Sequence, residues 1–300
     1  MTDRRQFLKG LLLGTTAALA PWNKLLFGGV LQEANMKTLR RNVGYFTGRG
    51  GTIGYLINDQ GTAVVDSQFP DTAAILISKL KEQSQRPIEL LINTHHHGDH
   101  TAGNIAFKGL IGKAVAHENS RKNQKRVAEE QGAGSEQLYP DEVYKDKWSY
   151  KIGDETISLQ YFGPAHTDGD SVVHFENANV VHMGDLIFNR RHPYIDKTAG
   201  ASIENWIEVL RQVRKKYDRD AIFIFGHAGG SHPVTGGMND IEAMENYLSG
   251  LLETVSKKLK AGAGREEIMA IREIEGGREW QGEGIERPLA AAYQELAQER

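Results

Sequence analysis

The residues Thr94-His95-His96-His97-Gly98-Asp99-His100-Thr101-Ala102-Gly103 decide how the rest of the chain is read, because they set imidazoles and a carboxylate at metal-ligand spacing within one turn. The run before them, residues 88–92, is short and apolar and follows a helical pattern and a proline, so it reads as a buried strand of an α/β unit. The histidines begin where that strand ends. Residues two apart on an extended chain point the same way, so His95 and His97 are expected to face one ion while His96 points elsewhere. Asp99 and His100 need a sharp bend to come round on a second side, and Gly98 is expected to supply the backbone freedom for it. Neutral imidazole with carboxylate oxygen suits zinc, and less exclusively iron or manganese.

Further residues of the same type appear downstream in matching contexts. His166 lies in Gly163-Pro164-Ala165-His166-Thr167-Asp168-Gly169-Asp170, between two strand-like runs. Asp185 follows the apolar pair Val180-Val181 in His182-Met183-Gly184-Asp185, and His227 ends the run of residues 221–226. Four times a metal-type residue sits at or just beyond a strand end, where loops on a rigid sheet carry function.

A His-x-His-x-Asp-His turn followed in order by His, Asp and His resembles the metallo-β-lactamase-fold superfamily, over roughly residues 43–232. The resemblance implies an α/β fold, a four-layer αβ/βα sandwich of two mixed β-sheets flanked by helices. It implies one metal held by His95, His97 and His166 and a second held by Asp99, His100 and His227, with Asp185 bridging them. Two Zn2+ are the expected cofactors, with iron or manganese as alternatives. Asp66, closing Val64-Val65-Asp66-Ser67, would orient the histidine turn, since metal-bound imidazoles need a partner for the second ring nitrogen. The domain is expected to run from residue 36 to residue 300, with a helical extension at its C-terminal end.

Residues 1–35 are set apart as an export signal and linker. Thr2-Asp3-Arg4-Arg5-Gln6-Phe7-Leu8-Lys9, followed by an apolar stretch to Ala20, resembles a twin-arginine signal. That implies the twin-arginine export machinery as a partner and a periplasmic or exported location, anchored if the signal stays uncleaved. The apolar stretch falls short of the about 20 residues a membrane span needs, so no stable span is expected after processing. The chain has 300 residues, 39% of them hydrophobic, enough for one large core or two small domains. A net charge of −3 gives no support for nucleic-acid binding, and the resemblance implies a small-molecule substrate as the partner. Absence of cysteine rules out disulfides and thiolate ligands.

Taken in order, residues 43–47, 52–57 and 63–65 read as a three-strand meander after a polar linker, and Asp71 as the cap of a helix over 72–83. A short strand at 114–116 and a charged helix from His117 to Gln131 follow the metal turn. The polar, aromatic-dotted region 132–150 crosses between the halves. Strands return at 155–161, 171–175 and 180–182. The loop from Leu186 to Asp196 is a candidate pocket wall, with Asn189, Arg190, His192 and Tyr194 as candidate substrate contacts. Ser202 caps a helix over 203–217, and helices are expected near 239–260, 266–272 and 289–297. His117 and His232 are left outside the site.

Two divalent ions bridged by a carboxylate also bridge a water and lower its pKa toward about 7. The resemblance therefore implies a metal-dependent hydrolase in which bridging hydroxide attacks, with Asp99 as the catalytic residue that orients it or takes its proton. β-Lactamases with a cysteine ligand are excluded. A bridging aspartate is similar instead to the thioesterase, lactonase and phosphodiesterase branches, although the tyrosine that homoserine-lactone lactonases carry three residues after it is Phe188 here. The leading reading is a dizinc hydrolase of a small ester, thioester, lactone or amide, a β-lactam included. Its rivals are a mononuclear iron persulfide dioxygenase of the same fold and a non-catalytic periplasmic partner in cofactor handling.

Overall fold

The structure, a computed structural model, describes residues 34–134, 137–280, 282 and 284–297. The export signal expected over residues 1–35 therefore lies almost wholly outside the described residues. Two mixed sheets dominate. The first joins β1 (Asn35–Arg40), β2 (Val43–Thr47), β3 (Ile53–Ile57), β4 (Thr62–Val65), β5 (Ile88–Asn93), β6 (Ile111–His117) and β7 (Glu142–Tyr144) in that order. Strands β1 to β4 are antiparallel and β4 to β7 parallel.

The second sheet carries β8 (Lys147–Ile152), β9 (Glu155–Tyr161), β10 (Ser171–Phe175), β11 (Val180–His182), β13 (Ile222–Ile224) and β15 (Thr235–Gly236), ordered β15-β13-β11-β10-β9-β8. Its only parallel pair is β11 with β13, whose C-terminal ends therefore reach one edge together. A two-stranded piece pairs β12 (Phe188–Asn189) with β14 (His227–Ala228) at that edge. Lys145 and Asp146 separate the last strand of the first sheet from the first strand of the second, so the predicted crossing at 132–150 is where the chain changes layers.

Three apolar clusters define four layers. Ala63, Val65, Leu90 and Ile92 of the first sheet meet Leu159, Val173, Phe175 and Val180 of the second in the central core. On the outer face of the first sheet, Val64 and Leu91 pack with Leu76, Ile77 and Leu80 of α1 (Pro70–Gln83). α2 (Gly98–Thr101) and α3 (Glu118–Glu130) belong to the same half. On the outer face of the second, Val172, Val181 and Phe223 pack under α4 (Ile203–Lys216), α5 (Met238–Lys260) and α7 (Glu286–Ala297), with the short α6 (Arg265–Met269) beside them. Both faces of β4 and β11 are buried, and β5 is buried except at Glu89, which is why these strands read as largely apolar runs. This is the expected αβ/βα sandwich. Among the described residues no helix is long and apolar enough to cross a membrane.

Two expectations about local structure change. The segment assigned to a polar linker forms β1, an edge strand whose burial is too shallow to print an apolar alternation. The α1 helix starts at Pro70, capped from Phe69, so Asp71 lies in its first turn and pairs with Arg49 at 2.7 Å instead of capping. The C-terminal helices are tied to the sandwich by Glu295, whose carboxylate accepts from the Ile203 and Glu204 backbone N–H groups at 2.9 and 3.0 Å and from Lys197 at 2.9 Å. Glu295 thus satisfies the open N–H groups at the start of α4.

Candidate metal centre

The histidine turn leaves the buried C-terminal end of β5, and its bend is made by helix rather than by glycine torsion. His97 is the N-cap residue of α2, and Gly98 stands at the first helical position with nothing within 4 Å of where a Cβ would be. Gly98 is absent from the positive-φ residues, so the expectation that its backbone freedom makes the bend is corrected. The glycine that the turn does require is Gly51, at the entrance to β3. A Cβ there would lie 2.1 Å from His100 Cε1.

The predicted residues converge as two trios and a shared carboxylate. His95 Nε2 and His166 Nε2 each lie 3.0 Å from His97 Nδ1. In the second trio His227 Nε2 lies 3.1 Å from Asp99 Oδ2 and 3.4 Å from His100 Nε2, and the Asp99 to His100 edge is 3.8 Å. Asp185 stands between them on a 3-10 turn after β11. Its Oδ2 is 3.5 Å from both His166 Nε2 and His227 Nε2, and its Oδ1 is 3.0 Å from His100 Nε2. All seven residues are together, four from the turn and short helix α2 after β5, and three from the chain after β9, after β11 and at the start of β14.

Hydrogen bonds to the other ring nitrogens select which atom of each imidazole faces inward. Asp66 Oδ2 accepts from His100 Nδ1–H at 2.8 Å and from the Thr94 hydroxyl at 2.8 Å, and Thr94 Oγ1 lies 3.0 Å from His95 Nδ1. The Tyr194 carbonyl accepts from His166 Nδ1–H at 2.8 Å, and Asp196 Oδ2 accepts from His97 Nε2–H at 3.0 Å. Asp66 is fully buried and sits at φ 67°, a left-handed conformation that costs a non-glycine residue energy and that its bonds to the turn hold in place.

Electrostatics divide the histidines. Burial drives His95 well below the ordinary imidazole value and His166 down to about 3, so both are neutral with a lone pair to offer. Burial opposes protonation of His100 and His227 as well. Asp185 and Asp99 overcome it, carrying His100 well above the ordinary value and His227 up to about 9. Burial in turn would raise Asp99 and Asp185, but the His100 and His227 charges hold both carboxyls below the usual range.

The donor set fits divalent cations. A tetrahedral zinc with Zn–N of about 2.0–2.1 Å separates its ligand nitrogens by about 3.3 Å, and the two edges at His97 in the first trio and the three edges of the second lie between 3.0 and 3.8 Å. Asp185 Oδ1 is buried and makes no well-aligned hydrogen bond, its near neighbour being His100 Nε2 at 3.0 Å, an atom that would itself face a cation. Among the described residues, His95, His97, His166 and Asp185 form one group able to hold a metal ion and Asp99, His100 and His227 another. A third group, His96, His97 and Asp196, shares His97.

Of the four candidate substrate contacts, one faces this centre. Tyr194, 45% exposed, holds its ring 5.3 Å from that of His97. Asn189 instead donates to the Pro233 carbonyl at 2.9 Å, Arg190 lies over Trp280 and pairs with Glu279, and His192 Nδ1 bonds the Tyr247 hydroxyl at 2.8 Å. These three fasten the loop to the β14–β15 connection, to the segment at Glu279-Trp280 and to α5. Phe188 lines the centre too, stacked on His227 at 5.3 Å. Tyr194 and Asp196 also line a cleft of about 680 Å3 whose far side is Arg265, Arg287 and Tyr293. His117 caps α3 and stacks on Tyr161, apart from the centre. Sequence reasoning missed Asp196, Thr94 and Gly51. The available signal for Asp196 was its place in Asp196-Lys197-Thr198, where an aspartate two residues before a threonine makes a turn that fixes its carboxylate.

Fold and centre together define an αβ/βα sandwich with a His/Asp cluster at the seam of its sheets. The family model described as the metallo-beta-lactamase superfamily matches residues 47–227, and the chain belongs to that superfamily. Metallo-beta-lactamase IND-1 of Chryseobacterium indologenes is 26% identical over 187 residues, covering 59% of this chain and 73% of the relative. The hydroxyacylglutathione hydrolase of Methylococcus capsulatus is 26% identical over 136 residues, 45% of this chain and 47% of its own. Among solved structures, a metallo-beta-lactamase from Pontibacter korlensis superposes with a TM-score of 0.61 at 17% identity, over 72% of this chain and 99% of the other, a likeness of fold. Hydrolases are thus the chain's relatives.

Proposed function

We propose that this protein is a dinuclear metal-dependent hydrolase, of the branch with a bridging aspartate, that cleaves a small ester, thioester, lactone or amide. The observation that carries the reading is the position of Asp185, one carboxylate with Oδ2 at 3.5 Å from a histidine of each trio. His95, His97 and His166 would hold one cation and Asp99, His100 and His227 the other, zinc being the best match to the donors. Bound there, the cations supply Lewis acidity and lower the pKa of a coordinated water to about 7.

The chain's own residues supply the rest. Asp99 is the most open of the site's carboxylates, 32% exposed at its side chain against 4% for Asp185, so it is the one placed to orient an attacking water and accept its proton. Asp66 and Thr94 hold His100 and His95, and the Tyr194 carbonyl holds His166, so that their inward lone pairs need no reorganisation. Phe188 and Tyr194 provide an aromatic wall for the acyl or leaving group. The test is metal analysis of purified protein combined with a chromogenic panel of esters, thioesters, lactones and β-lactams. Two zinc per chain with turnover of one class supports the reading. One iron per chain with oxygen uptake on a thiol persulfide overturns it, as does failure of the whole panel with metal fully loaded.

We propose further that Arg4 and Arg5 direct export by the twin-arginine route to a periplasmic or exported location. A reporter fused to the leader should be exported, and should remain in the cytoplasm when both arginines are replaced by lysine.

A further inference from the structure

His96 is the one histidine of the triplet that the two trios leave unused. Its side chain is buried, and its Nε2 lies 3.4 Å from Asp196 Oδ2, the same oxygen that accepts from His97 Nε2–H at 3.0 Å. The other oxygen of Asp196 is committed to the chain. Oδ1 accepts from the Thr198 hydroxyl at 2.5 Å and from the Thr198 and Ala199 N–H groups at 3.0 and 3.2 Å. Asp196 N–H donates to the His166 carbonyl at 3.2 Å, two residues after the Tyr194 carbonyl takes the His166 ring proton. One short segment of the pocket wall therefore touches two of the three imidazoles of the first trio.

We propose that Asp196 is a positioning residue for the first metal trio, and that His96 is its second anchor. Held at Oδ1 by the turn and at Oδ2 by His96, the carboxylate has one orientation left, and that orientation takes the Nε2 proton of His97. Nδ1 of His97 is then the lone pair offered to the cation, the opposite choice from His95 and His166, which offer Nε2. Without the carboxylate the imidazole is free to exchange tautomers or turn over, and either change takes Nδ1 out of the trio. The three groups His96, His97 and Asp196 also meet the distance requirement for a cation of their own. Chemistry argues against that use. A neutral imidazole has one lone pair, so His97 cannot serve a cation at Nδ1 and another at Nε2 without also losing its ring proton.

This inference rests on the reading that the trios hold divalent cations, and the experiment separates the two. Co2+ affinity and stoichiometry are measured by competition with a chromophoric chelator for the parent, Asp196→Ala, Asp196→Asn, His96→Phe and Thr198→Val, with melting of each metal-free protein alongside. Parent protein that takes up no cobalt sinks the metal reading itself. Given cobalt uptake by the parent, Asp196→Ala is expected to weaken one of two cobalt sites by about 10–100-fold and leave the other, the usual cost of losing a partner of a metal-bound histidine. Asp196→Asn, which keeps the turn, should also weaken that site, and His96→Phe should weaken it less. Thr198→Val, which removes one of the three bonds at Oδ1 and keeps the carboxylate, should weaken that site less than Asp196→Ala does. Cobalt bound by both Asp196 variants as tightly as by the parent would overturn the proposal, leaving Asp196 as a turn residue only. A third cobalt in the parent that disappears in Asp196→Ala would overturn it in favour of a cation site at His96.

Discussion

Replacing Gly51 by alanine tests the centre through the backbone, without touching a proposed ligand. The added Cβ would lie 2.1 Å from His100 Cε1 and 2.2 Å from its Nε2. Carbon atoms in contact sit about 3.5–4.0 Å apart, so the ring and the new methyl must separate by more than about 1 Å. His100 has no room for this. It is fully buried, and its Nδ1–H is held by Asp66 at 2.8 Å. Gly51 is fixed as well, because its N–H donates to the Asp99 carbonyl at 3.0 Å and its carbonyl accepts from Gln68 at 2.6 Å. Metal–ligand distances tolerate only about 0.2 Å, so the second trio should lose its cation while the first keeps its own. Turnover should fall at least about 100-fold, equivalent to about 2.7 kcal/mol on the barrier. The overpacked metal-free protein should lose about 1–3 kcal/mol, a few degrees of melting temperature. The assay is metal stoichiometry by elemental analysis beside kcat/KM and thermal melting. A Gly51→Ala protein with two cations per chain and parental kcat/KM would refute the reasoning.

Asp99→Asn removes a proposed ligand atom and the proton acceptor together, so turnover should be abolished while the chain still folds, and activity within about tenfold of the parent would show the assignment wrong. Cation binding at pH 7 should release protons from His100 and His227, whose values lie above the ordinary 6.5, and none from His95 or His166. Calorimetry in buffers of different ionisation heat should therefore report about two protons per chain, and affinity should rise with pH until about 9; a value near zero contradicts this. The sign for stability of the metal-free protein follows from the same shift: the His227 ion pairs stabilise fully below 6.5 and are lost as pH rises through about 9. Tyr194→Ala should change KM and substrate preference, whereas His192→Phe, which leaves the Tyr247 hydroxyl without its partner, should cost about 1 kcal/mol of stability and little activity. Steady-state kinetics and denaturant unfolding of the two variants separate the roles, and the opposite pattern would reverse the division of the loop.

The sandwich and the seven converging residues were legible because their signals are local. Apolar runs mark strands buried on both faces, and the histidine turn, Asp185 and His227 each follow one of them within a few positions. What escaped the sequence depends on contacts between distant segments. Asp196 is unremarkable in its own loop and acquires meaning only against a turn about 100 residues earlier. Gly51 looks like one of many turn glycines, and Gly98, inside the motif, looks more necessary than it is. The loop after Asp185 is expected to wall a pocket, and its end, from Tyr194, lines a cleft, but polarity alone does not tell a side chain aimed at the centre from one that fastens the loop. Hence Tyr194 stands at the centre, while Asn189, Arg190 and His192 bind the loop to Pro233, Glu279 and Tyr247. Strand β1 escaped because an exposed edge strand carries almost no apolar period.

The seam itself has a consequence for how the molecule would behave outside a test tube. Since the centre draws four donors from one half of the chain and three from the other, with Asp185 facing both trios, a bound cation acts as a clasp between two sheets. The hold of that clasp grows with free metal relative to its dissociation constant, reaching about 2.7 kcal/mol at a hundredfold excess. Resistance to proteolysis would then track the metal supply of the surroundings. A chelator would act on this chain as a mild denaturant, weakening the contact between the two sheets together with the core they share.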